Sequence, residues 1–65
     1  MAGPPKGHGV YIEVTIQGNF AKVTAIDGVT GIEASIMGPA TAPREALTAA
    51  AARKLRYMLE KKGGE

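Results

Sequence analysis

Val10-Tyr11-Ile12-Glu13-Val14-Thr15-Ile16-Gln17-Gly18-Asn19-Phe20-Ala21-Lys22-Val23-Thr24-Ala25-Ile26-Asp27 is the stretch that decides the fold. Before Gly18 every second residue is apolar: Val10, Ile12, Val14 and Ile16 share one side, and Tyr11, Glu13, Thr15 and Gln17 share the other. A repeat of two belongs to a strand whose faces meet different surroundings. Gly18-Asn19 can take the positive φ values of a two-residue hairpin turn. Such a turn sets Gln17 against Phe20, so the numbers of all later partners sum to 37. Ile16 then meets Ala21, Val14 meets Val23 and Ile12 meets Ala25, all on one face. A slip of one residue would turn every side chain over, so turn chemistry and apolar pattern support the same register.

Downstream, Asp27-Gly28-Val29-Thr30 marks a second turn. Whether Gly28-Val29 is a tight turn or all four residues form a loop, partners sum to 57, which pairs Ala25 with Ile32, Val23 with Ala34 and Ala21 with Ile36. The result is an antiparallel meander centred on Phe20 to Ile26. The middle of its inner face is lined by Ala21, Val23, Ala25 and Ala34, small residues that invite close approach of a helix. Gly38-Pro39 ends the third strand. Thr41-Ala42-Pro43 opens a helix, with Thr41 or Ala42 as N-cap and Pro43 in the first turn, where its missing N–H is harmless. From Pro43 to about Lys62 the residues favour helix, with five alanines between positions 46 and 52, and Gly63-Gly64 supplies the stop. Leu47, Ala51, Leu55, Met58 and Leu59 form one stripe at helical spacing. That stripe is expected to lie across the sheet, with Leu55, Met58 and Leu59 beside Ile12 or Ile36. The predicted fold class is α+β: a three-stranded antiparallel β-meander with one C-terminal α-helix packed on one face (βββα). The predicted organisation is a flexible leader at 1–9, a single domain at 10–62 and a flexible tail at 63–65.

Sixty-five residues leave room for little more than one sheet-to-helix layer. A deep enzyme pocket is hard to build at that size, and stability is marginal or aided by oligomerisation. No cysteine is present, so neither a disulfide nor a thiolate metal site is available. No stretch approaches the roughly 18 apolar residues of a membrane span, and Met1 to Gly9 lacks the apolar segment of a signal peptide. A cytoplasmic location is the expectation, with no membrane partner. The net charge of +2 is uneven. Residues 1–40 carry two bases against three acids, and residues 41–65 carry six against three.

Chemistry-bearing constellations are missing from the pattern. His8 is the sole histidine and lies in the Gly/Pro-rich leader; Ser35, on the outer sheet face, has no reason to meet it. Glu13 and Glu33 share the outer face across the central strand, with Lys22 diagonal to both, which suits a surface charge lattice better than an acid–base pair. Gly3, Gly7 and Gly9 follow no strand and so form no phosphate-binding loop. The expectation is a non-enzyme with no catalytic residue, no metal ligand set and no cofactor.

Two surfaces remain as candidates. The outer sheet face has nothing left in the chain to cover it. Its rows read Tyr11 with Ile26, Glu13 with Thr24 and Glu33, Thr15 with Lys22 and Ser35, and Gln17 with Phe20 and Met37. The candidate partner surface is therefore Tyr11, Phe20, Lys22, Ile26 and Met37, for an unknown protein or for self-association, with the free edges of both outer strands as an alternative. The second surface is basic: Arg44, Arg53, Lys54, Arg56, Lys61 and Lys62 could contact a polyanion such as structured RNA. The same cations, late in a helix, also suit its negative dipole end.

Two resemblances bear on this. Gly18-Asn19-Phe20, Lys22-Val23, Ala25-Ile26-Asp27, Thr30-Gly31, Glu33, Ser35-Ile36, Gly38-Pro39, Leu47, Ala51, Arg53-Lys54-Leu55, Tyr57 and Leu59 together resemble a family of very small uncharacterised alphaproteobacterial proteins. That resemblance implies a small bacterial protein without an assigned activity, and it transfers no functional residue. Three strands followed by Pro43-Arg44-Glu45-Ala46-Leu47-Thr48-Ala49-Ala50-Ala51 are also similar to the last four elements of a double-stranded-RNA-binding domain, which grips A-form RNA with bases at the start of this helix. Of that basic cluster only Arg44 is present, Ala42 and Pro43 stand where neighbouring cations would be, and Met1 to Gly9 cannot supply the domain's first helix. The reading that follows is a non-catalytic interaction module, with nucleic-acid binding through the basic helix as the alternative.

Overall fold

The computed structural model describes residues 9–64, the last three by backbone alone. The leader up to His8 and the terminal Glu65 lie outside the described residues. The elements are β1 (Val10–Gln17), β2 (Phe20–Asp27), β3 (Glu33–Pro39) and α1 (Arg44–Gly64). The strands form one antiparallel sheet in the order β1-β2-β3 and the helix packs on one face, so the chain is a βββα domain of the α+β class.

The first hairpin has the register its sequence dictates, from Val10 opposite Asp27 to Gln17 opposite Phe20. Gly18 sits at φ 60°, while no non-glycine residue among those described has a positive φ. Only the first turn position therefore needs the left-handed region, which defines the glycine-first type II′ turn.

The second hairpin corrects the expected register by two residues. Ala25 faces Ala34, Val23 faces Ile36 and Ala21 faces Gly38, so partner numbers sum to 59 rather than 57. The loop is Gly28 to Gly31, closed where the Asp27 N–H donates to the Ile32 carbonyl at 2.9 Å. Asp27 explains the longer loop. Its carboxylate Oδ2 accepts the Thr30 N–H at 2.8 Å and the Thr30 hydroxyl at 2.7 Å, and Thr30 Oγ1 in turn accepts the Ile32 N–H at 3.1 Å. Gly31 at φ 79° turns its N–H back onto the Asp27 carbonyl at 2.8 Å. A two-residue shift leaves every side chain on its original face, so the apolar pattern could not discriminate between the two registers.

The helix starts later than expected. Ala42 N–H donates to the Pro39 carbonyl at 3.0 Å, making a separate turn, and Pro43 supplies the first helical carbonyl, to Ala46 at 3.1 Å and Leu47 at 3.3 Å. Pro43 is thus the N-cap, not Thr41 or Ala42. A residue before proline is disfavoured in the helical region, which bars Ala42 from the helix. At the other end α1 includes Gly63 and Gly64, two residues past the expected stop.

Val23, Ala25, Ala34, Ala51 and Leu55 form the buried core, with Val14, Ile32, Ile36, Leu47, Met58 and Leu59 packed against it. The predicted helical stripe is therefore the buried one. Its lateral position, however, is offset: α1 packs on β2 and β3. Three local features hold it there. The β3–α1 connection is only residues 40–43. Gly38 lets the helix approach, since a Cβ at that position would stand 2.5 Å from Leu47 Cδ2. Lys54 Nζ donates to the Ser35 carbonyl of β3 at 2.9 Å. Leu47 lies by Gly38 and Lys54 by Ser35, so the helix runs antiparallel to β3. Seven residues of helix rise about 10 Å, matching three residues of strand.

Candidate functional site

Because α1 lies over β2 and β3, the apolar row of β1 is left largely bare. Val10 is 48% exposed, Ile12 37% and Ile16 57%, and Val14 alone in the row packs against the core. Of the two neighbours expected for that end of the helix, Ile36 packs against the core while Ile12 is 37% exposed. Sequence reasoning put these residues on the face that the helix packs against, without asking how far one helix reaches. A helix about 10 Å across spans roughly two strands set about 4.8 Å apart. That dimension, together with the short β3–α1 connection, was the available signal.

The backbone of β1 is exposed in a matching way. Gly28 N–H donates to the Gly9 carbonyl at 2.9 Å, so odd-numbered residues of this strand turn their polar groups toward β2. The N–H and C=O groups of Val10, Ile12, Val14 and Ile16 point to the outer side, where no strand pairs among the described residues. Free backbone groups and bare apolar side chains thus belong to the same residues of the same edge.

On the opposite sheet face the shifted register rearranges the candidate partner surface. Met37 now faces Lys22, Phe20 faces Pro39, Ser35 faces Thr24 and Glu33 faces Ile26. Phe20, Lys22 and Met37 are exposed, and Tyr11 is half-buried. Ile26 is only 2% exposed and so presents no surface. Its neighbour Thr24, also buried, shares a 2.7 Å hydroxyl–hydroxyl hydrogen bond with Ser35. The exposed apolar residues of this surface are therefore Phe20 and Met37, diagonal to one another with Lys22 opposite Met37.

The helix bases are scattered. Arg44, Arg53 and Arg56 are exposed. Lys54 is engaged with the Ser35 carbonyl, and Lys61 lies 6.0 Å from the Tyr57 ring centroid. The side chain of Lys62 lies outside the description. The Asp27 carboxyl is held below its ordinary value by the Thr30 hydroxyl and then by the Thr30 N–H, both donating to it. No three His, Cys, Asp or Glu among the described residues are grouped to hold a metal ion, and no helix among them is long and apolar enough to cross a membrane.

Fold and surface together define a small βββα domain with one uncovered edge strand. The model of the family described as Domain of unknown function (DUF6898) matches residues 7–62, and the chain belongs to that family. No curated protein and no solved structure matches the chain.

Proposed function

We propose that this chain is a non-catalytic protein-interaction module whose binding surface is β1. The observation that carries this reading is the coincidence, on Val10, Ile12, Val14 and Ile16, of outward-facing backbone groups with an apolar row that α1 leaves largely bare. Such an edge can be extended by another strand, with backbone hydrogen bonds supplying affinity and alternate side chains supplying selectivity. The absence of cysteine fits a reducing, cytoplasmic setting.

Recognition of structured RNA is the second reading, and the exposed Arg53 and Arg56 favour it. Lys54 is already bonded to Ser35. Arg44 and Lys61 lie about 25 Å apart along the helix axis, which spreads the remaining charge thinly.

The test is an amide spectrum of the isotopically labelled full chain. It is recorded on dilution, in a lysate of the source organism, and with an RNA duplex at low and physiological salt. The interaction reading expects changes confined to residues 10–16 on dilution or in lysate. Changes confined to Arg44, Arg53, Arg56 and Lys61 that fade with salt would replace it with the RNA reading. Spectra identical under all conditions would dispose of both.

A further inference from the structure

We propose that the partner of β1 is a second copy of this chain, the two β1 strands pairing antiparallel about a two-fold axis at Val14 to form one continuous six-stranded sheet. The inference rests on the reading of β1 as a binding edge and names what binds there.

The two edges of the sheet are not equivalent. Along β3 the closing bond from Asp27 to Ile32 fixes the phase, so Glu33, Ser35, Met37 and Pro39 turn their backbones outward. The Ser35 carbonyl is already taken by Lys54 Nζ, and Pro39 has no N–H to offer. Lysine and proline are the residues by which edge strands are guarded against pairing. β1 has neither. Its ladder to β2 runs without a bulge from Val10 to Gln17, and its outward groups are uninterrupted.

Charge and register select the partner. Antiparallel strands place like faces together only when partner numbers have an even sum. A sum of 26 sets Glu13 on Glu13 of the second copy, a like-charge pair at the closest approach in the ladder. Sums of 24 and 30 shorten the overlap to five residues. A sum of 28 overlaps residues 11–17 and sets Val14 on Val14, Ile12 on Ile16, and Glu13 on Thr15. No charges oppose each other. The pairs Val14–Val14, Ile12–Ile16 and Ile16–Ile12 are the hydrogen-bonded ones, and they use the groups that β1 turns outward. The apolar rows of both copies merge into one strip between the two helices. Glu13 is the single charged residue of the strand, so a strand that clears its own charge at this register is self-complementary, as an isologous two-fold contact requires.

The test is sedimentation of the full chain from low micromolar to submillimolar concentration, beside Ile16→Pro and Ile12→Lys. Proline at position 16 removes an N–H that makes no bond to β2, and lysine at position 12 keeps every backbone bond. Circular dichroism checks that each variant folds. A dimer is expected for the parent and is lost in both variants. Register is read by oxidation of single-cysteine variants, since the chain has no other thiol. Val14→Cys links to itself, and Glu13→Cys links to Thr15→Cys in a mixture but not to itself. A parent chain that stays monomeric, with dilution-invariant amide spectra, overturns the dimer, while changes at residues 10–16 in lysate would leave the interaction reading standing. A dimer that persists in the folded variants removes β1 from the contact, and Glu13→Cys linking to itself overturns the register.

Discussion

Ala51→Leu tests whether the contact between helix and sheet is set by small side chains. Ala51 is fully buried in a cluster with Val23, Ala25 and Ala34, so the facing surfaces consist largely of single methyl groups. Leucine adds three carbons. If space existed around position 51, burying them would add about 2.4 kcal/mol at about 0.8 kcal/mol per carbon. If helix and sheet are in methyl-to-methyl contact, the added bulk must displace backbone or neighbours, at a loss of about 1–3 kcal/mol. The two cases differ in sign. A chain of this length has about 3–10 kcal/mol of stability at 0.05–0.15 kcal/mol per residue, so the loss is large. The assay is urea unfolding at fixed protein concentration, followed by the helical circular-dichroism signal. With a slope near 1 kcal/mol per molar urea, the midpoint is expected to fall by about 1–3 M. Ala49→Leu, on the exposed side of the same helix, controls for helix propensity and should shift stability by only a few tenths of a kcal/mol. A midpoint for Ala51→Leu equal to or above the parent's would refute the close-contact account.

Leu55→Ala empties the largest fully buried helical position and is expected to remove about 2–5 kcal/mol, lowering Tm by about 10 °C or more; Arg56→Ala beside it should be nearly silent. Gly38→Ala and Leu47→Ala are expected to couple, because a Cβ at position 38 would press on Leu47 Cδ2. Their combined loss should fall short of the sum of the two by about 0.5 kcal/mol or more, and strict additivity in denaturant melts would contradict the close approach. The lowered Asp27 pKa predicts acid sensitivity: its contribution is complete above the ordinary value of 3.8 and is lost as pH falls below that through the folded-state value. Thr30→Val removes the principal hydroxyl donor, so the difference in Tm between neutral and about pH 3 should narrow relative to the parent; an unchanged difference would show that the Asp27–Thr30 contact is not made in solution.

Local chemistry determined the elements of this protein and the face of each residue. Alternation from Val10 to Gln17, the Gly18-Asn19 turn and the Leu47 to Leu59 stripe each act within a few residues, so they can be read without coordinates. The Asp27–Thr30 loop was less legible. Its extra length depends on a carboxylate closing onto a hydroxyl and an N–H three residues on, and a shift of two preserves every face, so the apolar pattern could not choose the register. The outer-face rows, and the fate of Ile26 and Met37, followed from that choice. What only the tertiary structure decided is where the helix comes to rest. A short connection, the open approach at Gly38 and the Lys54–Ser35 bond seat it over β2 and β3. A single helix is too narrow to cover three strands, so Val10, Ile12 and Ile16, on the face the helix packs against, are left at the surface. An apolar side chain's face is set by its own strand, whereas its burial is set by how far a distant element reaches.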